Sequence, residues 1–335
     1  MNKIETIKAG IFGTVVGDAL GVPVEFTSRA ARKVDPVADM RGHGTHDQPQ
    51  GTWSDDSSMM LATMDSIVLR GGIRLDDIMT KFSNWLRHGD YTPYGHVFDV
   101  GGTCSAAISR YRPGVDPKTC GGPRESDNGN GSLMRIMAAS LCVGLDDDWN
   151  ESVFEDVVDD IHGVSCLTHA HPRSQMACMI YTAICHELIW SMGRSIADAV
   201  QDAISETLDY YSKAWEAQSW FDLDFLQEIR SDTFARLRDI ERFKSLPEDE
   251  IRSGGYVVDT LEASVWCLLN SGSYKECVLK AVNLGEDTDT TGAVAGGLAG
   301  LCYGYDGIPA EWIDVIASKE WINVLCENFA EIMNS

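Results

Sequence analysis

Apolar residues recur at helical spacing along most of the chain, and this pattern predicts an all-α protein. At the N-terminus one such stripe consists of Ile4, Ile7, Ile11 and Val15. Another helix is expected between Ser54, a favourable N-cap, and Gly71, a favourable residue after a helix end. Further helices are predicted at 75–88, 103–111, 132–143, 151–163, 173–191, 195–213, 220–244, 257–270, 274–283, 290–303 and, with a break, 310–333.

Alternating apolar and polar runs bounded by turn residues are nearly absent, so no β-sheet is expected. Two glycine stripes mark helices that another backbone could approach closely. No fixed-period repeat and no long linker interrupts the pattern. We therefore predict a single helical domain over 1–335, with a polar, acidic helical elaboration around 195–255. The two stripes are Gly10, Gly13 and Gly17, and then Gly292, Gly296, Gly300 and Gly304.

The charge of the chain excludes two classes of partner. Its 335 residues include 27 basic and 51 acidic ones, for a net charge of −24. Such a surface attracts neither a nucleic-acid backbone nor an anionic membrane. A neutral or cationic partner, or a small anion in a local pocket, fits this charge, and we expect a monomer.

The cysteines and apolar segments favour a cytoplasmic protein. The ten cysteines form no CxxC pair, and several lie in apolar runs, as expected of reduced, buried thiols. The first 21 residues contain no small-residue cleavage site. The longest nearly uncharged apolar stretch, 293–305, is too short to span a bilayer.

Two acidic clusters carry the candidate chemistry. They are GTWSDDS at 51–57 and GEDTDT at 285–290, each with two close carboxylates at an expected helix start. A helix N-terminus accounts for one acid more easily than for two, and crowded carboxylates favour a cation. The all-oxygen donor set suits Mg²⁺, Ca²⁺ or Mn²⁺. An EF-hand is excluded because its twelfth position, counted from Asp287, is Leu298. Helix capping by both clusters is the alternative.

Four further segments add candidate residues. GDALGVPVEF, at 17–26, presents Glu25, whereas its Asp18 could simply end the first helix. FDVGGT begins at 98, and NGNGSLMR, at 128–135, is a loop whose backbone N–H groups could cradle phosphate. In that loop Arg135 could bind either carbonyls or phosphate. LTHAHP, at 167–172, is the fourth segment and precedes another helix. Outside these four, the loop 41–51, with His43 and His46, is either a surface loop or a lid.

In these segments the chain resembles the ADP-ribosylglycohydrolase family, which includes the glycohydrolases that activate dinitrogenase reductase. Six segments match in family order between residue 17 and about residue 305. The resemblance implies a compact all-α fold of orthogonal helices around two Mg²⁺ or Mn²⁺ ions. It also implies hydrolysis of the bond between C1″ of ADP-ribose and a modified side chain. The sixth segment is LGEDTDTTGAVAGGLAG, at 284–300.

The resemblance also implies roles for individual residues. Glu25 would lie beside the metals as general base, Asp99 would position the ribose or transfer a proton, and Asp56 would serve both catalysis and metal binding. The family usually has Thr at the position of Ser54, whose hydroxyl can still ligate. The implied metal ligands are Ser54, Asp55, Asp56, Asp287, Asp289 and Thr290, and the implied ADP-ribose contacts are Asn130, Gly131, Ser132 and His169.

The expected substrate is a protein carrying ADP-ribose on arginine, with free ADP-ribose as product, because the FDVG and NGNGSLMR segments resemble the arginine-directed branch of the family. Two alternatives are open. One is hydrolysis of ADP-ribose linked to serine or another oxygen. The other is a non-catalytic ADP-ribose-binding or structural protein, against which the intact acids and Glu25 argue.

Overall fold

The computed structural model describes residues 2–146, 149–190, 193–216 and 221–334. In these ranges the chain is helical without a β-strand, as predicted, and 68% of the protein is helix. Seven short 3₁₀ turns lie among the α-helices of the described residues. The helices are α1 (Lys3–Gly21), α2 (Arg29–Val34), α3 (Asp55–Arg70), α4 (Leu75–His88), α5 (Gly102–Arg110), α6 (Met137–Gly144), α7 (Glu151–Cys166), α8 (Pro172–Trp190), α9 (Ile196–Glu216), α10 (Leu223–Arg230), α11 (Ile240–Lys244), α12 (Val257–Leu269), α13 (Tyr274–Asn283), α14 (Thr288–Tyr303), α15 (Ala310–Val315) and α16 (Lys319–Ile332).

Most predicted helices lie within a few residues of their expected ends. α4 and α13 have the predicted bounds, and the Ser54 hydroxyl caps α3 by accepting from Asp56 N–H at 3.3 Å. The expected break near the C-terminus separates α15 from α16. There Ser318 adopts a left-handed conformation with φ 54°. Local signals were therefore sufficient wherever capping residues mark the ends.

Two helix predictions need correction, and one short helix was missed. The helix expected at 132–143 begins only at Met137, because 131–136 forms turns instead. The helix expected at 220–244 is divided into α10, a 3₁₀ turn at Ala235–Arg238, and α11. Asp232 near the division has φ 56°, which a continuous helix cannot contain. The short α2 was not expected.

The two glycine stripes pack directly against each other. A Cβ on Gly13 would lie 2.4 Å from the carbonyl oxygen of Gly296, and a Cβ on Gly300 would lie 2.0 Å from that of Ala9. α1 and α14 can approach this closely only because these positions lack side chains. Their contact brings the end of α1 to the start of α14, where the second acidic cluster lies.

α1 is a core helix. By length and composition alone, Lys3–Val24 is long and apolar enough to cross a membrane. However, 94% of its most apolar window is buried inside the protein. α3, α14 and α16 pack around it.

One apolar core includes side chains from both ends of the chain and from the polar stretch 195–255. Phe12 of α1 and Phe329 of α16 belong to it, as do Ile204 of α9 and Phe243 of α11. The polar stretch thus forms helices that contribute one face to the core. The single-domain organisation stays a prediction.

Candidate active site

Asp18, from α1, holds the N-terminus of α3. Its carboxylate accepts hydrogen bonds from the N–H of Ser54 at 3.0 Å, the N–H of Ser57 at 3.1 Å and the Ser57 hydroxyl at 2.6 Å. Burial raises the pKa of Asp18 to about 7, against the lowering effect of these hydrogen bonds. Asp18 thus supplies the negative charge that stabilises the N-terminus of α3. The carboxylates of Asp55 and Asp56 are not required for that role.

Asp56 has one satisfied and one unsatisfied oxygen. Its Oδ2 accepts from the hydroxyls of Ser54 at 3.0 Å and Thr290 at 3.4 Å. Its Oδ1 is buried and has no hydrogen-bond partner among the described residues. A buried carboxylate oxygen without a donor is costly, so this atom suits an additional ligand.

The second cluster is not a capping motif. Asp287 precedes α14, but its side chain makes no capping hydrogen bond. Its Oδ2 instead accepts from the Asn130 side-chain amide at 2.9 Å. Asp289 accepts from the adjacent N–H of Thr290 at 2.8 Å. Helix capping therefore explains the role of Ser54 but not the presence of the paired carboxylates.

Folding brings the two clusters face to face, as the sequence predicts. Ligand-type oxygens of Asp18, Asp56 and Asp289 lie within 4.8 Å of one another, and so do those of Glu25, Asp287 and Asp289. In the part of the chain that the structure describes, their hydrogen-bond donors are hydroxyls, amides and the His46 ring, and no lysine or arginine pairs with them.

The crowding is visible in the acidity of these groups. Burial, followed by the charge of Asp99, raises the pKa of Asp55 to about 8. Burial also raises the pKa of Asp56 and Asp289 well above the ordinary value, with further rises from their neighbouring carboxylates. The protein alone thus does not favour full ionisation, and divalent cations would offset the repulsion.

Glu25 is held by a histidine from the loop 41–51. His46 Nε2 hydrogen-bonds Glu25 Oε2, and the Thr45 hydroxyl donates to the Glu25 carbonyl at 2.7 Å. The His46 ring contacts the rings of Phe26 and Phe98, with centroid distances of 6.0 and 5.3 Å. Burial, and then the charges of Asp99, Asp287 and Asp55, raise the pKa of Glu25 to about 9.

A cavity of about 290 Å³ opens onto these carboxylates. Acids, the loop 129–131 and His169 all line it. Its lining includes Glu25, Phe26, Asp55, Asp99, Gly101, Asn130, Gly131, His169, Asp287 and Thr290.

The loop residues predicted to bind ADP-ribose differ in how deeply they lie behind the cavity surface. Asn130 lines the cavity while its amide is held by Asp287 and by the Thr260 hydroxyl at 2.9 Å. Gly131 lies against the His169 ring, where a Cβ would come within 2.8 Å of Cε1. Ser132, however, is fully buried, and its hydroxyl accepts from the Cys178 thiol at 3.5 Å. The geometry therefore does not support a side-chain contact from Ser132 to a ligand.

Two residues of the site escaped the sequence analysis. Asp18 was assigned no clear role, although it is the one charged residue in the buried stretch 9–21. His46 was left between a surface loop and a lid, because its contact with Glu25 spans 21 residues. Arg135 is fully buried and binds a carbonyl and a hydroxyl, so the carbonyl alternative holds for it.

The fold and the cavity define an all-helical protein with a buried acidic centre beside a ligand-sized pocket. The sequence pattern of the ADP-ribosylglycohydrolase family matches residues 1–335. The chain is 29% identical over 326 residues to the ADP-ribosylarginine hydrolase Tri1 of Serratia proteamaculans, covering 97% of this chain and 79% of that protein. It is 29% identical over 311 residues to the ADP-ribosyl-[dinitrogen reductase] glycohydrolase of Rhodospirillum rubrum, covering 92% and 88%.

A solved structure agrees in fold. The ADP-ribosylglycohydrolase-related protein complex superimposes with a TM-score of 0.73 at 26% identity, covering 99% of both chains. This chain belongs to the ADP-ribosylglycohydrolase family.

Proposed function

We propose that this protein is a divalent-cation-dependent hydrolase that releases ADP-ribose from arginine side chains of modified proteins. The observation that carries the proposal is a single cavity lined both by the acids Glu25, Asp55, Asp99 and Asp287 and by Asn130 and His169. Relatives named for arginine-linked and dinitrogen-reductase substrates support the substrate class.

The donor set fits two Mg²⁺ or Mn²⁺ ions. Its oxygens are hard donors, the acids are crowded, and Asp56 Oδ1 has no partner among the described residues. When bound, such ions supply positive charge that can hold ribose hydroxyls and make a water more acidic. The residues that would hold them are Ser54, Asp55, Asp56, Asp287, Asp289 and Thr290.

The protein groups divide the remaining work. Cleavage at C1″ develops positive charge on the ribose, which the surrounding carboxylates stabilise. A water attacks C1″ and gives its proton to the Glu25 carboxylate, while the bond to the arginine nitrogen breaks and that nitrogen takes up a proton from solvent. Glu25 must be ionised for this, so the charges of Asp55, Asp99 and Asp287 must be offset, since these charges and burial raise its pKa. Asp99 faces the same cavity and positions the ribose. The N–H groups of Gly129 and Gly131 hold the diphosphate, since the Asn130 N–H already donates to Gly255 O at 3.0 Å.

Location and assembly follow as proposals from the same chain. All ten cysteines carry free thiols in this structure, which supports a reducing, cytoplasmic setting. The net charge of −24 supports action on protein rather than on nucleic acid or membranes. We propose a monomeric enzyme, which light scattering would test.

The test is release of ADP-ribose from two substrates, one modified on arginine and one on serine, with chelator, Mg²⁺ or Mn²⁺. We expect cation-dependent release from the arginine substrate. Release from the serine substrate and not from the arginine substrate would show that the enzyme cleaves the serine linkage and would overturn the proposed one. Full activity in chelator would overturn the cation requirement, and binding of ADP-ribose without any release would point to a non-catalytic protein.

A further inference from the structure

A buried arginine lies directly behind the loop that lines the cavity. Arg135 is fully buried, with its guanidinium 4.8 Å from the centre of the Phe82 ring. Its Nη2 donates to Val164 O at 3.0 Å and to Thr168 Oγ1 at 2.8 Å. These partners are neutral oxygens, and Nε and Nη1 have no partner among the described residues. Such a cation is costly to bury, so packing alone does not account for it.

The Thr168 hydroxyl lies within hydrogen-bond distance of both Arg135 and His169. Guanidinium groups only donate, so Thr168 Oγ1 accepts from Arg135. The same oxygen lies 2.9 Å from His169 Nδ1. The hydroxyl proton then has two acceptors in reach, His169 Nδ1 and the thiol of Cys104. An imidazole nitrogen is much the stronger acceptor, and donation from Arg135 polarises the hydroxyl further.

Electrostatics favour the same arrangement. Burial, and then the Arg135 charge, lower the pKa of His169 to about 3, so the ring is neutral. A neutral ring carries one N–H, and its dipole is most favourable when the bare nitrogen faces the cation. The proton then lies on Nε2, on the side away from Arg135.

We infer that Arg135 and Thr168 are positioning residues that hold His169 as the Nε2–H tautomer, so that the ring presents a hydrogen-bond donor to an oxygen of the bound ligand. His169 lines the cavity, and Gly131 leaves its edge open, since a Cβ there would lie 2.8 Å from Cε1. Identification of that oxygen with the diphosphate or ribose of ADP-ribose rests on the proposed function.

The tautomer is tested by ¹⁵N NMR on the ligand-free protein labelled at histidine. The His169 signals are assigned by their loss in His169→Gln. We expect an unprotonated Nδ1 and a protonated Nε2 in the wild type. In Thr168→Val we expect a mixture of tautomers, and in Thr168→Ser the wild-type pattern. A wild-type ring protonated at Nδ1 overturns the inference, whatever the ligand is.

Binding of free ADP-ribose, measured by calorimetry, tests the consequence. Thr168→Val should raise the dissociation constant about tenfold, because one charge-assisted hydrogen bond is lost. Thr168→Ser should bring it back to the wild-type value. A changed tautomer with unchanged affinity would overturn the donor role. Failure of the wild type to bind ADP-ribose would instead contradict the proposed function, since the tautomer result does not depend on it.

Discussion

Gly17 and Gly292 lie back to back where α1 crosses α14. A Cβ on Gly17 would lie 2.0 Å from the carbonyl oxygen of Gly292, and one on Gly292 would lie 2.4 Å from that of Gly17. One residue after Gly17 comes Asp18, and three residues before Gly292 comes Asp289. The close helix contact therefore sets the distance between the acidic residues of the candidate site.

Gly17→Ala should destabilise the protein. The new methyl group meets backbone, which cannot move away as a flexible side chain can, so we expect a loss of about 3 kcal/mol or more. The measurement is urea unfolding followed by circular dichroism. The matched control is Gly144→Ala at the end of α6, where the nearest atom is 3.9 Å from the new Cβ and alanine should cost no stability. Equal effects at both positions would contradict the role of the close contact.

The sequence predicts this part of the molecule better than the loops around the cavity. Helical periodicity, Ser54 as a cap and glycines at spacings of three and four residues are local signals, and they placed α3 and α14 correctly. Pairing of the two acidic clusters followed from charge repulsion. The contact of His46 with Glu25 and the capping of α3 by Asp18 depend on tertiary packing between distant segments, which no local pattern records. Ser132 shows the converse, because a residue in a ligand-type loop can point into the core.

The cation-free protein should lose stability as pH rises. In the folded protein the pKa of Glu25 is raised to about 9 and that of Asp55 to about 8. In the unfolded chain both groups have a pKa of about 4. In between, the native state binds more protons, so the free energy of unfolding falls with increasing pH. In chelator, we expect the melting temperature to fall between about pH 5 and about pH 9, with a smaller fall in Glu25→Gln. A flat profile would contradict the raised pKa values.

Asp289→Asn should separate charge repulsion from cation binding. Removing one buried negative charge should raise the melting temperature of the chelated protein, since the amide costs less to bury. It should also abolish the stabilisation that Mg²⁺ or Mn²⁺ gives the wild type. Asp249→Asn is the control, because Asp249 is exposed and pairs with Lys33 on the surface. A cation effect of wild-type size in Asp289→Asn would exclude this residue from the metal site.

Glu25→Gln should slow turnover and leave ligand binding intact. General base catalysis contributes about 10²- to 10⁴-fold, so kcat should fall within that range while the Kd for ADP-ribose changes little. Turnover assays and calorimetry on the same sample give both values. His43→Gln, at an exposed histidine paired with Asp47, should change neither. If affinity falls as much as kcat, Glu25 binds the ligand and does not move the proton.

Arg173 ties the acidic elaboration to the loop beside the cavity. It binds both carboxylate oxygens of Glu228 in α10, at 2.9 and 3.0 Å, and its Nη1 donates to the Tyr256 hydroxyl at 3.0 Å. Gly129 of the loop pairs with Tyr256 through the backbone. Burial would raise the pKa of Glu228, but the hydrogen bonds from Arg173 lower it below its ordinary value. Glu228 is thus a buried anion whose charge is balanced by this guanidinium, with the hydroxyls of Thr233 and Ser231 as further donors at 2.6 and 3.0 Å.

Arg173→Met should therefore lower the free energy of unfolding more than removal of both members of the ion pair does. The single change leaves Glu228 buried without its cation, and we expect a loss of about 3–5 kcal/mol in the free energy of unfolding. The double variant Arg173→Met with Glu228→Met removes both charges and should recover most of that loss. Urea unfolding of the two single variants and the double variant gives the coupling directly. Additive losses would mean that the two side chains act independently and that the elaboration is not held through them.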